Sequence, residues 1–524
     1  MQGPPLITGS MDSNSPIIVG VGQYVSRERQ QAHEILSPVE IAAEAVRRAL
    51  ADASDTSDLA SHVDTLAVMR LFEHSVPGSD MWASPFGSPS NVPWSVARRA
   101  KVKPRRAIYA EVGGQMPQRM VNYFCEQIHA GEARMVVLTG AEAIATIRDA
   151  TRRDIELDWR EDVEGEFEDQ WNDEPMVSDY EFRHGIAFPI HVYALFDQVR
   201  RNELGLSLDA YRMTIARLFA PFSTVSAGNP YAQFPVEHDA EFLATVSKKN
   251  YPVCEPYTKW MVAQDAVNQG AAVLLTSAGV ARDLGIAESR WVRLVAYADV
   301  DDVTVVRRPR LAASLAQEIA VSKALDEAGA SIGDMSHIDL YSCFPIAVSG
   351  VCAHLGIDPA DSPPLTVTGG LPYFGGPGSN YSMHAIAEMV ERIRADPDTR
   401  GIVVANGGYL SKHSVGIYSG HLQSPWRSMS SAAEQRRAKA EDSVQVVEEM
   451  AGRGRIESYA AIYRRGVPAF GFIVGRREDD AARFLALVKP GDATALDVLF
   501  RDEVIGTAVT VSNAEGLNYF ELAQ

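Results

Sequence analysis

At 524 residues the chain exceeds one ordinary domain, so two or three cores are expected. A formal charge of −19 excludes partners that need a broadly basic surface, such as nucleic acid or an anionic membrane, but leaves room for an anionic ligand bound by a local basic patch. The four Cys, at 125, 254, 343 and 352, form no C-x-x-C and no zinc spacing, so neither a metal site nor a disulfide framework is expected and a reducing cytoplasm is the default.

Residues 1–15, beginning MQGPPLITGS, read as a disordered leader without a signal pattern, and no run of eighteen apolar residues predicts a membrane span. SPIIVGVGQYV (15–25) predicts a strand. SPVEIAAEAVRRALADA (37–53) predicts a helix, with Ser then Pro at its start and Ile41, Ala42, Ala45, Val46 and Leu50 as its apolar stripe. A strand is expected in 62–72, and 106–143 reads as strand, Gly-rich turn, helix and strand. Cys125, amid Val121, Tyr123 and Phe124, reads as a small core residue.

Residues 147–200 break this rhythm. DIELDWREDVEGEFEDQWNDE is strongly acidic, as solvated insertions are, yet Trp159, Phe167 and Trp171 predict that it folds over something. A strand and helix return at 268–286. WVRLVAYADVDD (291–302) then opens a second strand–helix series: a helix over 310–328, the strand HIDLY, helices from Ile346 and Ser379, and the strand GIVVA. The order that begins near Ile17 therefore recurs from Val292. Residues 426–454 read as a helical connector, and 455–524, with strand periodicity and hairpin signals, as a small β-barrel-like domain.

Chemistry concentrates between His337 and Ser419. There apolar strands run straight into YSCF, GGLPYFGGPG and ANGGY, loops of the kind that bind ligands at the carboxyl ends of α/β strands. Over residues 16–420 this layout resembles the thiolase superfamily, particularly sterol-carrier-type thiolases and thiolase-like acetyl-CoA acetyltransferases. GGLPYFGGPG sits where those enzymes carry Gly-Gly-Leu and then Gly-His-Pro, YSCF where they carry Asn-Glu-Ala-Phe or His-Asp-Cys-Phe, and ANGGY where they carry Cys-x-Gly-Gly-Gly. The resemblance implies an α/β, five-layered thiolase fold made of two similar halves. The first is expected over 16–290 with a loop domain inserted at 147–260, and the second over 291–425. The appended 455–524 segment is similar to the extra domain of certain thiolase-like proteins, and to small barrels that pair with thiolase-fold aldolases.

The resemblance also implies acyl-CoA as substrate, coenzyme A as co-substrate and no covalently bound cofactor. It implies a homodimer, or a monomer if the C-terminal domain covers the dimer face. The catalytic letters differ, however. The nucleophilic Cys aligns with Gly114, the Gly-His-Pro His with Gly376, the second Cys with Ala405, and the Asn or His of the fourth motif with Tyr341. Substitutes lie nearby in Cys343, His384, His413 and Tyr341, with Gly114, Gly407 and Gly408 as candidate backbone donors to a thioester carbonyl.

Three functions fit these letters: a non-classical acyltransferase with a rearranged site, a Tyr-dependent retro-aldol lyase acting on β-hydroxyacyl-CoA, and a non-catalytic acyl-CoA or lipid-binding protein. A fourth role, recruitment of a partner enzyme through the barrel, requires an apolar patch there.

Overall fold

A computed structural model describes all residues except 1–11, 28–33, 56–57, 77–81, 173–175, 361, 422–424, 441–443, 502 and 524. Most of the expected leader therefore lies outside the described residues. Its end does not: Ser13 and Ser15 accept hydrogen bonds from Gly279 and Ala278 at 2.8 and 2.9 Å.

Two sheets carry the repeat. The first has the spatial order Pro16–Val25, Asn268–Ser277, Met135–Ala143, Thr65–Val68, Arg106–Tyr109, Glu168–Asp169. The second runs Arg293–Asp301, Lys412–Ser419, Arg400–Gly407, His337–Leu340. The four strands of the second sheet correspond in chain order and direction to the first four of the first, and an antiparallel bridge between Ile18 and Val292 joins the sheets.

Helices Met116–His129 and Tyr381–Ala395 fill the layer between the sheets. Tyr381 to Ile386 are almost wholly buried on every face, as expected of a helix with sheets and helices all round it. Outer helices cover the far faces. Pro38–Ala53 starts at a capping box, in which the Glu40 amide donates to Ser37 Oγ at 3.4 Å and the Ser37 amide to the Glu40 carboxylate at 2.8 Å. The α/β five-layered thiolase fold expected from the sequence is present.

The acidic insertion is bound rather than free. Glu168–Asp169 adds two residues to the edge of the first sheet, beside Arg106–Tyr109. Arg106 grips the Glu168 carboxylate at 2.6 and 2.8 Å, Arg99 reaches Glu161 at 2.6 Å, and the Trp94 indole donates to the Glu166 carbonyl at 2.8 Å. The remainder of the insertion is largely helical, with Pro189–Glu203 and Leu208–Gly228 as its long elements.

The connector is shorter in helix than its composition predicts: Ala432–Ala440 is helical, and strand begins at Gly452. Strands Gly452–Arg464, Val467–Arg477, Arg483–Val488, Leu517–Leu522 and Ala508–Ala514 then close a five-stranded barrel around Ile456, Tyr459, Ile473, Phe484, Val511 and Phe520. Helix Ala493–Arg501, not foreseen from the sequence, packs Leu499 against this core.

The barrel is docked through buried polar contacts. Arg483 donates to the Val306 and Arg308 carbonyls at 3.0 and 2.6 Å, Ser458 Oγ to the Leu195 carbonyl at 2.7 Å, and the Asn518 amide to His184 at 3.0 Å. Among the described residues no helix is long and apolar enough to cross a membrane.

Candidate active site

The loops at the carboxyl ends of His337–Leu340 and Arg400–Gly407 meet the turn before helix Met116–His129. Ser382 Oγ donates to the Gly114 carbonyl at 2.6 Å and the Gly113 amide donates to Ser379 Oγ at 3.1 Å, so the start of helix Tyr381–Ala395 holds that turn from the other half of the molecule.

Tyr341 occupies the space that a side chain at 114 would take. A Cβ built on Gly114 would collide with the Tyr341 phenol and lie 2.7 Å from the Asn406 carbonyl. The aligned nucleophile position is thus filled by a ring from the neighbouring loop. The Tyr341 hydroxyl has no hydrogen-bond partner among the described residues, and its ring stands edge-on to Tyr381 at 5.3 Å. Burial raises the Tyr341 phenol far above its ordinary range, so it keeps its proton.

Cys343 lies two residues on. Asn406 Nδ2 is 3.6 Å from Cys343 Sγ and 2.8 Å from the Tyr193 hydroxyl, which belongs to the inserted loop domain. Burial pushes the Cys343 thiol up to about 12, more than these hydrogen bonds offset. No histidine hydrogen-bonds it among the described residues.

The two histidines are engaged elsewhere. His413 stands directly across the ladder from Asn406, but its Nε2 meets Ser314 Oγ at 3.0 Å, and Ser314 in turn donates to Asp302 at 2.8 Å while capping helix Leu315–Ala328. His384 Nδ1 meets Gln23 Oε1 at 2.7 Å, and Gln23 Nε2 donates to Glu388 at 3.0 Å. The rings of Phe374 and Tyr381 separate His384 from Tyr341. Desolvation lowers His384 to about 3 and His413 to about 4, so both are neutral. The structure therefore brings Tyr341 and Cys343 to one lining, sets His413 one residue away behind Asn406, and turns His384 away.

Three site residues were not singled out in the sequence reading: Gln115, Tyr193 and Asn406. Gln115 is fully buried, and neither end of its carboxamide has a hydrogen-bond partner among the described residues; Asn406 Oδ1 is in the same position. The Gln115 carboxamide lies where Cβ atoms of Gly113 and Gly407 would be, so these two glycines exist to admit it. Buried amides without partners are costly. The sequence signal was available in the turns GGQ and ANGG, whose polar letters adjoin glycines.

Asp197 braces the site from below. Its carboxylate accepts from the Tyr211 and Tyr257 hydroxyls and from the Ile346 amide at 3.2 Å, fixing the helix that follows Phe344 to the loop domain. Beside the turn at Gly408, a cleft of about 340 Å³ runs past Met176, Ser411, Lys412, Arg307 and Lys439, facing Asp301 and Asp302.

The family described as the thiolase-like protein type 1 additional C-terminal domain matches residues 435–516. The crystal structure of a monomeric SCP2-thiolase-like protein type 1 from Mycobacterium smegmatis is 37% identical, with a TM-score of 0.82, over 98% of this chain and 100% of that one. At the level of fold alone, the Ltp2–ChsH2(DUF35) aldolase (18% identity, TM-score 0.55, 78% of this chain and 98% of that one) is also similar. So is the acetyl-CoA acetyltransferase of Syntrophomonas wolfei (14%, 0.53, 78% and 100%). No curated protein matches the chain.

Proposed function

The chain belongs to the SCP2-thiolase-like protein type 1 family, and on that premise we propose that it binds acyl-CoA thioesters at the Tyr341–Asn406 site without thiolase-type acyl transfer to a cysteine. The observation that carries this reading is the Tyr341 phenol standing in the place of a side chain at Gly114. A thiolase-type mechanism needs a thiolate and a base at that point. Here Cys343, pushed up to about 12, is the sole thiol at the lining, and both candidate histidines are neutral and bonded elsewhere.

What remains suits a carbonyl. The Gln115 amide nitrogen is a buried donor without a partner among the described residues, in a water-poor setting where a hydrogen bond counts most, and the Tyr341 hydroxyl beside Gly114 is a second donor. The fold likeness to an acetyl-CoA acetyltransferase supports a CoA thioester as the ligand class. Arg307 in the adjoining cleft supplies positive charge for a phosphate.

Titration calorimetry with acetyl-CoA and longer acyl-CoA esters tests the reading. Binding is expected for the wild type, weakened about two- to tenfold by Tyr341→Phe, the worth of one hydrogen bond. Absence of binding to every ester, or undiminished binding by Tyr341→Phe, sinks it.

A second reading, Tyr-dependent retro-aldol cleavage of a β-hydroxyacyl-CoA, rests on that same phenol. It requires Tyr341 or a neighbour to take a proton, which desolvation opposes. Release of an aldehyde or ketone from a β-hydroxyacyl-CoA, lost in Tyr341→Phe, would establish it in place of simple binding.

A further inference from the structure

Strand Arg483–Val488 pairs with Val467–Arg477 only from Arg483 opposite Arg476 to Leu487 opposite Phe472. Beyond that, Pro490, with no amide hydrogen for a ladder, turns the chain into helix Ala493–Arg501. Val467, Pro468, Phe470 and Gly471 therefore keep partners on one side only, in Arg464, Tyr463, Ile462 and Ala461. Among the described residues no strand stands on their other side. The space there is a cleft of about 430 Å³ between the edge 469–471 and the turn 489–492. Leu487, Leu496 and Tyr519, each half-buried, line it with apolar surface, and Val467 and Phe470, 63% and 36% exposed, extend that surface along the edge.

An exposed edge with apolar side chains is a template for a further strand. The charges around it select the kind of strand. Those at the cleft are engaged: Lys489 reaches Glu521 at 2.7 Å, and the Asp492 carboxylate accepts from the Ala495 amide at 2.9 Å. Arg464 stands opposite Val467, two residues or roughly 7 Å of strand beyond Ala469. It and Arg465 are exposed and have no carboxylate partner among the described residues. Arg465 and Gly466 form the two-residue hairpin turn, both at positive φ, 54° and 77°, as in a type I′ turn. The first position of such a turn ordinarily holds Asn, Asp or Gly, because other L-residues are strained there. This chain holds an arginine at the tip instead. A second copy would bring the same two arginines to this edge, so charge favours an acidic partner.

We propose that this open edge of the barrel docks an extended acidic segment of a partner protein as an added strand. Its main chain would bond to 467–471, its alternate apolar side chains would fill the cleft, and its carboxylates would meet Arg464 and Arg465. The surface is independent of the Tyr341 site and of the function proposed for it.

Fluorescence anisotropy of the full chain with a labelled peptide, alternating valine and threonine with two glutamates at each end, tests the proposal. Saturable binding is expected, and the same peptide with lysines for glutamates is expected to bind at least about tenfold more weakly. Arg465→Gly removes one charge where glycine is unstrained. Its thermal midpoint should hold or rise, while the glutamate peptide binds about two- to fivefold more weakly. Phe470→Asp, which sets a carboxylate against the acidic segment, should abolish saturable binding, with circular dichroism as the check on folding. No saturable binding of the glutamate peptide, equal binding of the lysine peptide, or undiminished binding by both variants overturns the proposal. So does a dimer in sedimentation velocity that Phe470→Asp splits, since a second copy would then be the occupant.

Discussion

The claim that Tyr341 fills the place of a side chain at 114 can be tested by Gly114→Ala. Gly114 does not lie at positive φ, so alanine meets no backbone strain there. Its only cost is steric: the new Cβ would overlap the Tyr341 hydroxyl and ring and sit 2.7 Å from the Asn406 carbonyl. Overpacking of this kind costs about 1–3 kcal/mol, while the less flexible unfolded chain returns about 0.4–1, leaving a net loss of about 1–2 kcal/mol. Tyr341→Ala alone removes a buried ring, at about 3–5 kcal/mol. In that background the overlap with the phenol is gone and only the Asn406 carbonyl remains close. Gly114→Ala should then be about 1 kcal/mol cheaper than in the wild type. Urea-unfolding midpoints of the four proteins, followed by circular dichroism, give the coupling. Losses that add to within about 0.5 kcal/mol would mean that the two positions do not compete for one space, and the account of the missing nucleophile would fail.

Three further outcomes follow from the same geometry. With Cys343 raised to about 12, about one thiol in ten thousand is ionised at pH 8; alkylation by iodoacetamide, read by intact mass, should be slow at Cys343, and Cys343→Ala should leave acyl-CoA affinity within about twofold. His384, held at about 3 when folded, takes up a proton near 6.5 only when unfolded, so it withdraws stability as pH falls below 6.5, on the order of 2 kcal/mol by pH 5; His384→Gln should shrink the drop in unfolding midpoint between pH 7 and 5, and an unchanged drop would contradict the assignment. Arg483→Met removes one of the two arginines on the Glu457 carboxylate, leaving Arg476 at 2.7 Å, and takes the Arg483 donors from the buried Val306 and Arg308 carbonyls, an expected cost of about 1–3 kcal/mol; limited proteolysis between 440 and 452 should accelerate, and unaltered cleavage would show that the barrel is held by other contacts.

The fold was legible because its signals are periodic and local. Ser37-Pro38 with Glu40 announces a helix start, and the apolar runs at 135–143, 268–277 and 400–407 are continuous because those strands are buried on both faces. The repeat followed from element order alone. Charge composition told only part of the story of the insertion. Its acidic run is largely exposed, as its charge predicts, but it also answers the basic run Arg98–Arg106, fifty or more residues earlier, and only the tertiary fold lays the two together. Helix Ala493–Arg501 was missed because it is a short segment among strands, stabilised by packing Leu499 on the barrel core rather than by its own propensity.

The site divides along the same line. A sequence indicates which loop a side chain belongs to, but not which way it turns. YSCF and ANGGY lie on neighbouring parallel strands, so Tyr341, Cys343 and Asn406 were bound to meet. His384 and His413 lie on elements that also border the site, and their loops alone could not separate them from it. What removes them is a competitor: Gln23 takes His384, and Ser314, already committed to capping a helix, takes His413. Both competitors lie far away in sequence, and both supply a hydrogen bond that the buried imidazole would otherwise lack, at a cost of about 1–3 kcal/mol. Among the described residues Gln115 has no such competitor. Where a buried polar group is held, and against which loops, is the better guide to where a ligand sits. The site centres on Gln115, Tyr341 and Asn406 because these three meet around Gly114 and Gly407, whereas each histidine, although one of its ring nitrogens is also without a partner among the described residues, is anchored away from that point through the other.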